Sequence, residues 1–66
     1  MPEFECRLKT FRQQKELTQE QLAALVGVRR ETIMRLEKAQ YNPSLKLAVD
    51  LSRAVGAPIE EIFIFE

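Results

Sequence analysis

The chain has 66 residues, of which 45% are hydrophobic and 30% charged, with ten basic side chains, ten acidic side chains and no histidine. This length allows one domain, residues 1–66, and the apolar fraction excludes an intrinsically disordered protein. Apolar runs such as residues 62–65 are far shorter than the about 20 residues of a membrane span, so we expect a cytoplasmic protein without membrane contact.

The single cysteine, Cys6, cannot form an internal disulfide, and the absence of histidine leaves no zinc-ligand set and no Cys–His catalytic pair. We therefore predict a protein that is not an enzyme and that uses no metal, cofactor or small-molecule ligand. Cys6 is interpreted as a small, buried, unreactive residue of a helix.

The formal net charge is zero, but the charges are unevenly distributed along the chain. Residues 29–46 contain five basic and two acidic residues, a net charge of +3. Residues 47–66 contain one basic and four acidic residues, a net charge of −3. Only the middle of the chain therefore favours contact with phosphate groups.

The first two helices follow from apolar spacing and capping signals. The first is predicted from about Phe4 to Lys15, with Phe4 on the same apolar face as Leu8 and Phe11. The second begins after Thr18, which forms a capping box with Gln21, and ends at Gly27. Its apolar face comprises Leu22, Ala23 and Val26.

Three more helices are predicted in the second half of the chain. The third runs from about Arg30 to Ala39. Ser44 caps a fourth, which ends near Val55 before Gly56. The expected inward row of the fourth helix is Leu45, Ala48, Leu51 and Val55. Pro58 begins a last helical turn, whose core residues are Ile59, Ile62 and Phe63. The predicted fold class is therefore all-α, a compact bundle of four to five helices.

The pair of short helices across about residues 18–39, joined by a turn at Gly27, has the spacing of a helix-turn-helix unit. In such a unit the second helix lies in the major groove of DNA while the first crosses the backbone. The small side chain of Ala23 allows the two helices to approach closely. Pairs of helices without a DNA-binding role share parts of this pattern. The spacing alone therefore does not distinguish a helix-turn-helix from an ordinary pair of packed helices.

Several short motifs occur together in this chain: Leu17-Thr18-Gln19-Glu20, Leu22-Ala23, Gly27-Val28, Thr32-Ile33, Leu36-Glu37 and Tyr41-Asn42-Pro43-Ser44-Leu45. With these motifs the sequence resembles the phage repressor and Cro, or xenobiotic-response-element, family, and the last segment is similar to that of small stand-alone members. The resemblance extends from about Leu8 to Phe63. The resemblance implies a lambda-repressor-like domain that binds double-stranded DNA sequence-specifically as a transcriptional regulator, and we expect a repressor.

The resemblance also implies which residues read the bases. They are Arg30, Glu31, Met34 and Arg35, and their chemistry suits that role. Arginine can donate two hydrogen bonds to guanine, glutamate can accept one from cytosine, and methionine can contact a thymine methyl group. The alternative for Arg30 and Arg35 is a solvated helix face with surface ion pairs to Glu31 or Glu20, which would need no ligand.

Contacts to the DNA backbone are expected around these residues. Gln19, at the N-terminus of the second helix, corresponds to the family's backbone-clamping glutamine. The full predicted backbone set is Gln19, Arg29, Thr32, Lys38, Tyr41 and Asn42. The family further implies a structural ion pair between Arg12 and Glu37 behind the recognition helix.

The chain departs from the family pattern at two places. Arg29 stands where a serine or threonine helix cap is usual, which costs a cap and adds a positive charge near phosphate. Ala39-Gln40 replaces the common glycine-containing turn, so the third helix must be closed without glycine.

The apolar tail, residues 62–66, is the last unusual feature. Phe63, Ile64 and Phe65 are predicted to form a dimer interface, by apolar packing or by addition of an edge strand. The alternative is that Phe63 closes the core and the following residues fray. A homodimer would recognise a near-palindromic operator, because its two recognition helices would enter successive major grooves.

A second functional hypothesis keeps the fold but changes the partner. The near-neutral charge and the acidic last two helices also suit a protein-interaction module, such as an antitoxin component. A positive stripe along Arg29, Arg30, Arg35 and Lys38 would favour DNA, whereas neutralisation of that stripe by Glu31 and Glu37 would favour a protein partner.

Overall fold

The computed structural model describes residues 4–65 and contains five helices and two short strands. In chain order these are β1 Phe4–Cys6, α1 Leu8–Gln14, α2 Gln19–Val26, α3 Arg30–Glu37, α4 Leu45–Val55, α5 Ile59–Ile62 and β2 Phe63–Phe65. Residues 1–3 and 66, parts of the predicted domain and tail, lie outside the described residues. Within residues 4–65, no helix is long and apolar enough to cross a membrane.

The two strands correct the all-α prediction, because they form a small antiparallel sheet that joins the ends of the described chain. Phe4 pairs with Phe65 and Cys6 pairs with Phe63. The first helix therefore begins at Leu8 and not at Phe4. Phe4 packs edge-on against Phe63, with ring centroids 5.9 Å apart. This long-range pairing overrides the helical spacing of the first residues.

The core lies between the helices and the inner face of the sheet. Its fully buried large side chains are Leu8, Leu22, Ile33, Leu36, Leu51 and Ile62. Leu45 was wrongly predicted to belong to it, since 79% of this residue is exposed. It is the first residue of α4, directly after the cap Ser44, and the buried row of the helix begins only at Leu47.

The predicted caps of α2 and α4 are confirmed. The Thr18 hydroxyl accepts from Gln21 N at 3.0 Å, and the Gln21 side chain accepts from Thr18 N at 2.9 Å. The Ser44 hydroxyl accepts from Leu47 N at 3.1 Å. Pro58 is the N-cap of α5, one position earlier than predicted.

Helices α1 to α4 end in the same way, with a residue of positive φ followed by a hydrogen bond back to a carbonyl five residues earlier. The left-handed residues are Glu16, Gly27, Ala39 and Gly56, with φ values of 57°, 72°, 56° and 69°. After Ala39, for example, Gln40 N donates to the Arg35 carbonyl at 2.8 Å. The third helix is thus closed by a Schellman motif in which alanine occupies the usual glycine position.

Candidate nucleic-acid interface

Helices α2 and α3 form the predicted helix-turn-helix. The turn begins at Gly27, and Val28 N donates to the Ala23 carbonyl at 3.0 Å. Ala23 is buried at the contact, while Leu22 and Ile33 are fully buried beneath it. This packing fixes the angle between the helices and leaves one face of α3 to solvent.

The four predicted base-reading residues lie on α3. Arg30, Glu31 and Arg35 are exposed, whereas Met34 is half-buried. Within the described residues, neither arginine forms an ion pair with Glu31 or Glu20. The surface ion pairs of the alternative interpretation are therefore not formed, and both guanidinium groups remain available to a ligand.

Two shallow depressions flank Glu31 and Arg35. The first is also lined by Arg29, Thr32 and Tyr41. The second is also lined by Met34, Lys38 and Gln40. Five of the six flanking residues belong to the sequence-predicted site, and the structure brings them together around α3. The sequence analysis did not include Gln40 in the site. Its position two residues after Lys38, at the end of α3, could have indicated that it lies beside the predicted contacts.

The ion pair that the resemblance implies is present behind α3. Arg12 Nε lies 2.6 Å from Glu37 Oε2, and their side chains are only 10% and 6% exposed. Arg12 also donates through Nη1 to the Leu17 carbonyl at 2.8 Å. Because Arg12 is on α1 and Glu37 on α3, the pair ties the recognition helix to the body of the domain.

Gln19, predicted as a phosphate clamp, is half-buried at the first position of α2. Its Nε2 donates to Glu37 Oε1 at 3.0 Å, and its Oε1 accepts from Arg30 Nε at 3.4 Å. Sequence reasoning missed the contact with Arg30, because it depends on how the first turns of α2 and α3 face each other.

The charge of the site follows from these contacts. Glu37 is turned inward toward Arg12, so it does not neutralise the outer face of α3. Arg29, Arg30, Arg35 and Lys38 are exposed, as is Glu31. The acidic residues of the last two helices lie elsewhere in the chain. Glu60 and Glu61 are exposed in α5, and in α4 the Oδ2 atom of Asp50 lies 2.7 Å from Lys46 Nζ. The outer face of α3, with its flanking residues, therefore carries more positive than negative charge.

The tail residues have different environments. Phe63 is only 4% exposed and belongs to the core, as the alternative interpretation expected. Ile64 is half-buried, whereas Phe65 is 63% exposed, and its ring lies 5.2 Å from that of Phe4. Only Ile64 and Phe65 of the predicted interface therefore offer surface to a second molecule. Leu25, on α2, is a comparably exposed apolar residue at 64%, which the sequence did not single out.

Cys6 lies in strand β1, and not in a helix as predicted, where it is half-buried. Burial raises the pKa of its thiol above the ordinary value of 9.0, with a smaller contribution from the negative charge of Glu37. Across residues 4–65, no group of three or more acidic or cysteine side chains is arranged to hold a metal ion.

Known proteins similar to this chain are helix-turn-helix regulators, in agreement with the arrangement of α2 and α3. A family model described as Helix-turn-helix matches residues 8–62. An uncharacterized HTH-type transcriptional regulator from Archaeoglobus fulgidus is 60% identical over 60 residues, which cover 91% of this chain and 84% of the relative. The cryptic phage CTXphi transcriptional repressor RstR from Vibrio cholerae is 30% identical over 59 residues, 89% of this chain and 53% of the repressor.

Among solved structures, the restriction-modification controller protein C.AhdI from Aeromonas hydrophila superposes with a TM-score of 0.75. It is 36% identical, and the match covers 83% of each chain.

Proposed function

Because the chain belongs to the Cro/C1-type helix-turn-helix family, whose members are transcriptional regulators and not enzymes, we propose that it is a repressor that binds a near-palindromic operator as a homodimer. That it is a DNA-binding regulator follows from the family itself. Repression, the operator and the dimer are the proposed part. With DNA as its target, we propose a cytoplasmic location beside the chromosome.

The exposed face of α3 carries the proposal. Arg30 and Arg35 present exposed guanidinium groups there that form no ion pair within residues 4–65, and such groups bind guanine O6 and N7 in the major groove. Glu31 and Met34 complete the proposed base-reading set. Arg29, Thr32, Lys38, Tyr41 and Asn42 flank it as proposed phosphate contacts, together with Gln19.

The charge distribution supports DNA over the protein-interaction hypothesis. Neutralisation of α3 would require both Glu31 and Glu37, but the Glu37 carboxylate is held inward by Arg12. The predicted positive stripe of Arg29, Arg30, Arg35 and Lys38 therefore keeps an excess of positive charge beside the exposed Glu31.

The proposed dimer uses Ile64 and Phe65. The chain measures 29 × 21 × 20 Å, so two copies in contact can set their recognition helices about 34 Å apart, the distance between successive major grooves. Strand β2 has β1 on one side, and its exposed Phe65 would gain apolar contact in the interface. Homodimers often cover such exposed apolar surface.

The first experiment is selection of bound sequences from random duplex DNA. We expect a palindrome to be enriched, and Arg35→Ala to weaken binding by about 1–3 kcal/mol with loss of preference at one symmetric pair of positions. Added salt should weaken binding by both proteins. No enrichment, with equally weak binding by both proteins, would refute sequence-specific recognition and direct attention to a protein partner.

The dimer is tested by the mass of the protein in solution. Phe65→Ser should convert dimers to monomers and lower operator affinity, because both half-sites are then no longer bound together. Leu25→Ser is the matched control, since Leu25 is equally exposed but lies on α2. A wild-type monomer at micromolar concentration, or equal effects of both substitutions, would contradict this interface.

A further inference from the structure

Glu31 and Met34 line the same depression, the second of the two beside α3. The depression has a volume of about 160 Å³, and Arg35, Lys38 and Gln40 complete its lining. One water molecule, which is similar in size to a methyl group, takes up about 30 Å³ in the liquid. The depression can therefore receive a small group that projects from a base into the major groove.

The two side chains favour different chemical groups on a base. The carboxylate of Glu31 accepts hydrogen bonds, so it matches the N4 amino group of cytosine. The thioether of Met34 is apolar, so it matches a methyl group such as the one that thymine carries at C5. The two residues are three positions apart on one helix, a spacing that sets Cβ atoms roughly 5–6 Å from each other. Both side chains can therefore contact a single base.

Glu31 lacks a charged partner in the structure. It is exposed, and within residues 4–65 it forms no salt bridge. Because Glu37 is turned inward toward Arg12, Glu31 is the acidic residue of α3 that faces outward. A carboxylate close to DNA phosphates weakens binding by charge repulsion unless a donor compensates for it. An amino group on a base edge would supply that donor.

Among the common bases of duplex DNA, 5-methylcytosine presents an amino group and a methyl group side by side. Cytosine and adenine have the amino group but no methyl group beside it. Thymine has the methyl group, but its neighbour is the O4 acceptor, which repels a carboxylate. In N4-methylcytosine and N6-methyladenine, the methyl group replaces the hydrogen that points into the major groove, so no donor remains for Glu31.

We propose that Glu31 and Met34 together recognise 5-methylcytosine, so that methylation of the operator raises its affinity for this chain. Glu31 accepts a hydrogen bond from N4, and Met34 covers the methyl group at C5. The inference rests on the proposed function, in which α3 lies in the major groove and reads bases. It goes further by naming the chemical state of the DNA as a signal to which the regulator responds.

Two random duplex libraries test the proposal, one made with cytosine and the other with 5-methylcytosine in its place on both strands. The duplex that the wild type enriches most is then titrated with cytosine, 5-methylcytosine, N4-methylcytosine or thymine at each cytosine position. The titrations are repeated with Glu31→Ala, Met34→Ala and Met34→Leu. Leu25→Ala is the matched control, because it shortens an exposed apolar side chain on α2. Thermal unfolding shows whether each variant is folded at the temperature of the titration.

At one symmetric pair of positions, we expect the wild type to bind 5-methylcytosine about fourfold more tightly than cytosine, the effect of removing one methyl group from water. Thymine and N4-methylcytosine should bind about tenfold more weakly than 5-methylcytosine, because neither offers a donor to Glu31. Met34→Ala should abolish the preference for the methyl group, and Met34→Leu should retain it. Glu31→Ala should remove most of the difference between 5-methylcytosine and N4-methylcytosine, both of which pair with guanine. Leu25→Ala should behave as the wild type.

Equal or lower affinity for 5-methylcytosine than for cytosine at every position of an enriched sequence would overturn the inference and leave the proposed function standing. A methyl preference that survives in Met34→Ala would also overturn it, as would N4-methylcytosine bound as tightly as 5-methylcytosine. If neither library is enriched in any sequence, the proposed function fails as well. Should a variant be unfolded in the assay, the wild-type comparison of the three cytosines decides.

Discussion

At the residue scale, two residues with side chains occupy the left-handed backbone region where glycine is usual. Glu16 has φ 57° and Ala39 has φ 56°. In this conformation Cβ approaches the following carbonyl oxygen, which costs roughly 1–2 kcal/mol. Their helices still end there, because the return hydrogen bonds from Leu17 and Gln40 satisfy carbonyls that would otherwise have no partner.

Relief of this strain predicts the effect of one substitution. Ala39→Gly should stabilise the domain by about 0.5–1 kcal/mol, because glycine adopts positive φ without steric cost. Urea denaturation measures the change in the free energy of unfolding. Gly27→Ala is the reverse experiment, and it should destabilise by a similar amount, since the cost is local backbone strain: beyond the neighbouring residues, no heavy atom lies within 4 Å of the added methyl group. A loss of stability in Ala39→Gly would contradict the strain argument.

The buried ion pair gives a second prediction at this scale. Arg12→Met should destabilise the domain by about 3–5 kcal/mol, because it leaves the carboxylate of Glu37 buried without its main partner. The double variant Arg12→Met with Glu37→Leu should recover most of this loss, since no charge is then buried. Denaturation followed by circular dichroism compares the three proteins. Equal stability of the single and double variants would show that the charge of Glu37 is not the cause.

At the element scale, α3 begins without a side-chain cap, since its N-cap residue Arg29 makes no side-chain cap bond. Arg29→Ser should therefore stabilise the protein by about 1 kcal/mol while removing one phosphate contact from the proposed interface. Arg29→Ala removes the charge without adding a cap. Both variants should bind DNA more weakly, and the slope of log binding constant against log salt concentration should fall by about 1 in each. Only Arg29→Ser should unfold at a higher temperature than the wild type. Unchanged DNA affinity in both would remove Arg29 from the interface.

The elements that sequence predicts best are those whose limits are set locally. The capping box of Thr18 and Gln21 sets the start of α2. Ser44 sets the start of α4 and Gly56 its end, each through hydrogen bonds to residues a few positions away. Strand β1 could not be predicted in this way, because its partner lies about sixty residues away and three residues carry too little periodicity.

In the candidate site, too, the features set by local sequence could be predicted and those set by contacts between distant segments could not. Placement of the predicted residues on α3 follows from helical spacing, and the pairing of Arg12 with Glu37 was available only through family resemblance. The bond between Gln19 and Arg30 depends on the angle between two helices, which no single segment determines. Leu45 was wrongly assigned to the core because its apolar side chain alone does not show at which residue the buried face of α4 begins.

At the scale of the whole molecule, opposite charges separate along the fold. The third helix and the residues that flank it carry four exposed positive side chains, Arg29, Arg30, Arg35 and Lys38, and the acidic groups of α4 and α5 follow them in the chain. A net charge of zero therefore coexists with a surface that attracts phosphate. Overall charge is a poor guide to partners for a domain this small, whereas charge by segment agrees with the family's function.

The pairing of Phe4 with Phe65 makes the backbone of residues 4–65 nearly a closed ring. A short peptide bridge that joins the chain beside Phe4 to the chain beside Phe65 would impose little distortion on these residues, yet it would greatly restrict the unfolded chain. Head-to-tail cyclisation should raise the free energy of unfolding by roughly 4 kcal/mol, the loop-closure entropy of a chain of this length, which thermal melting of linear and cyclic forms can measure. The fold is thus suited to circular permutation, in which new termini are opened in a surface loop while the recognition helix keeps its place.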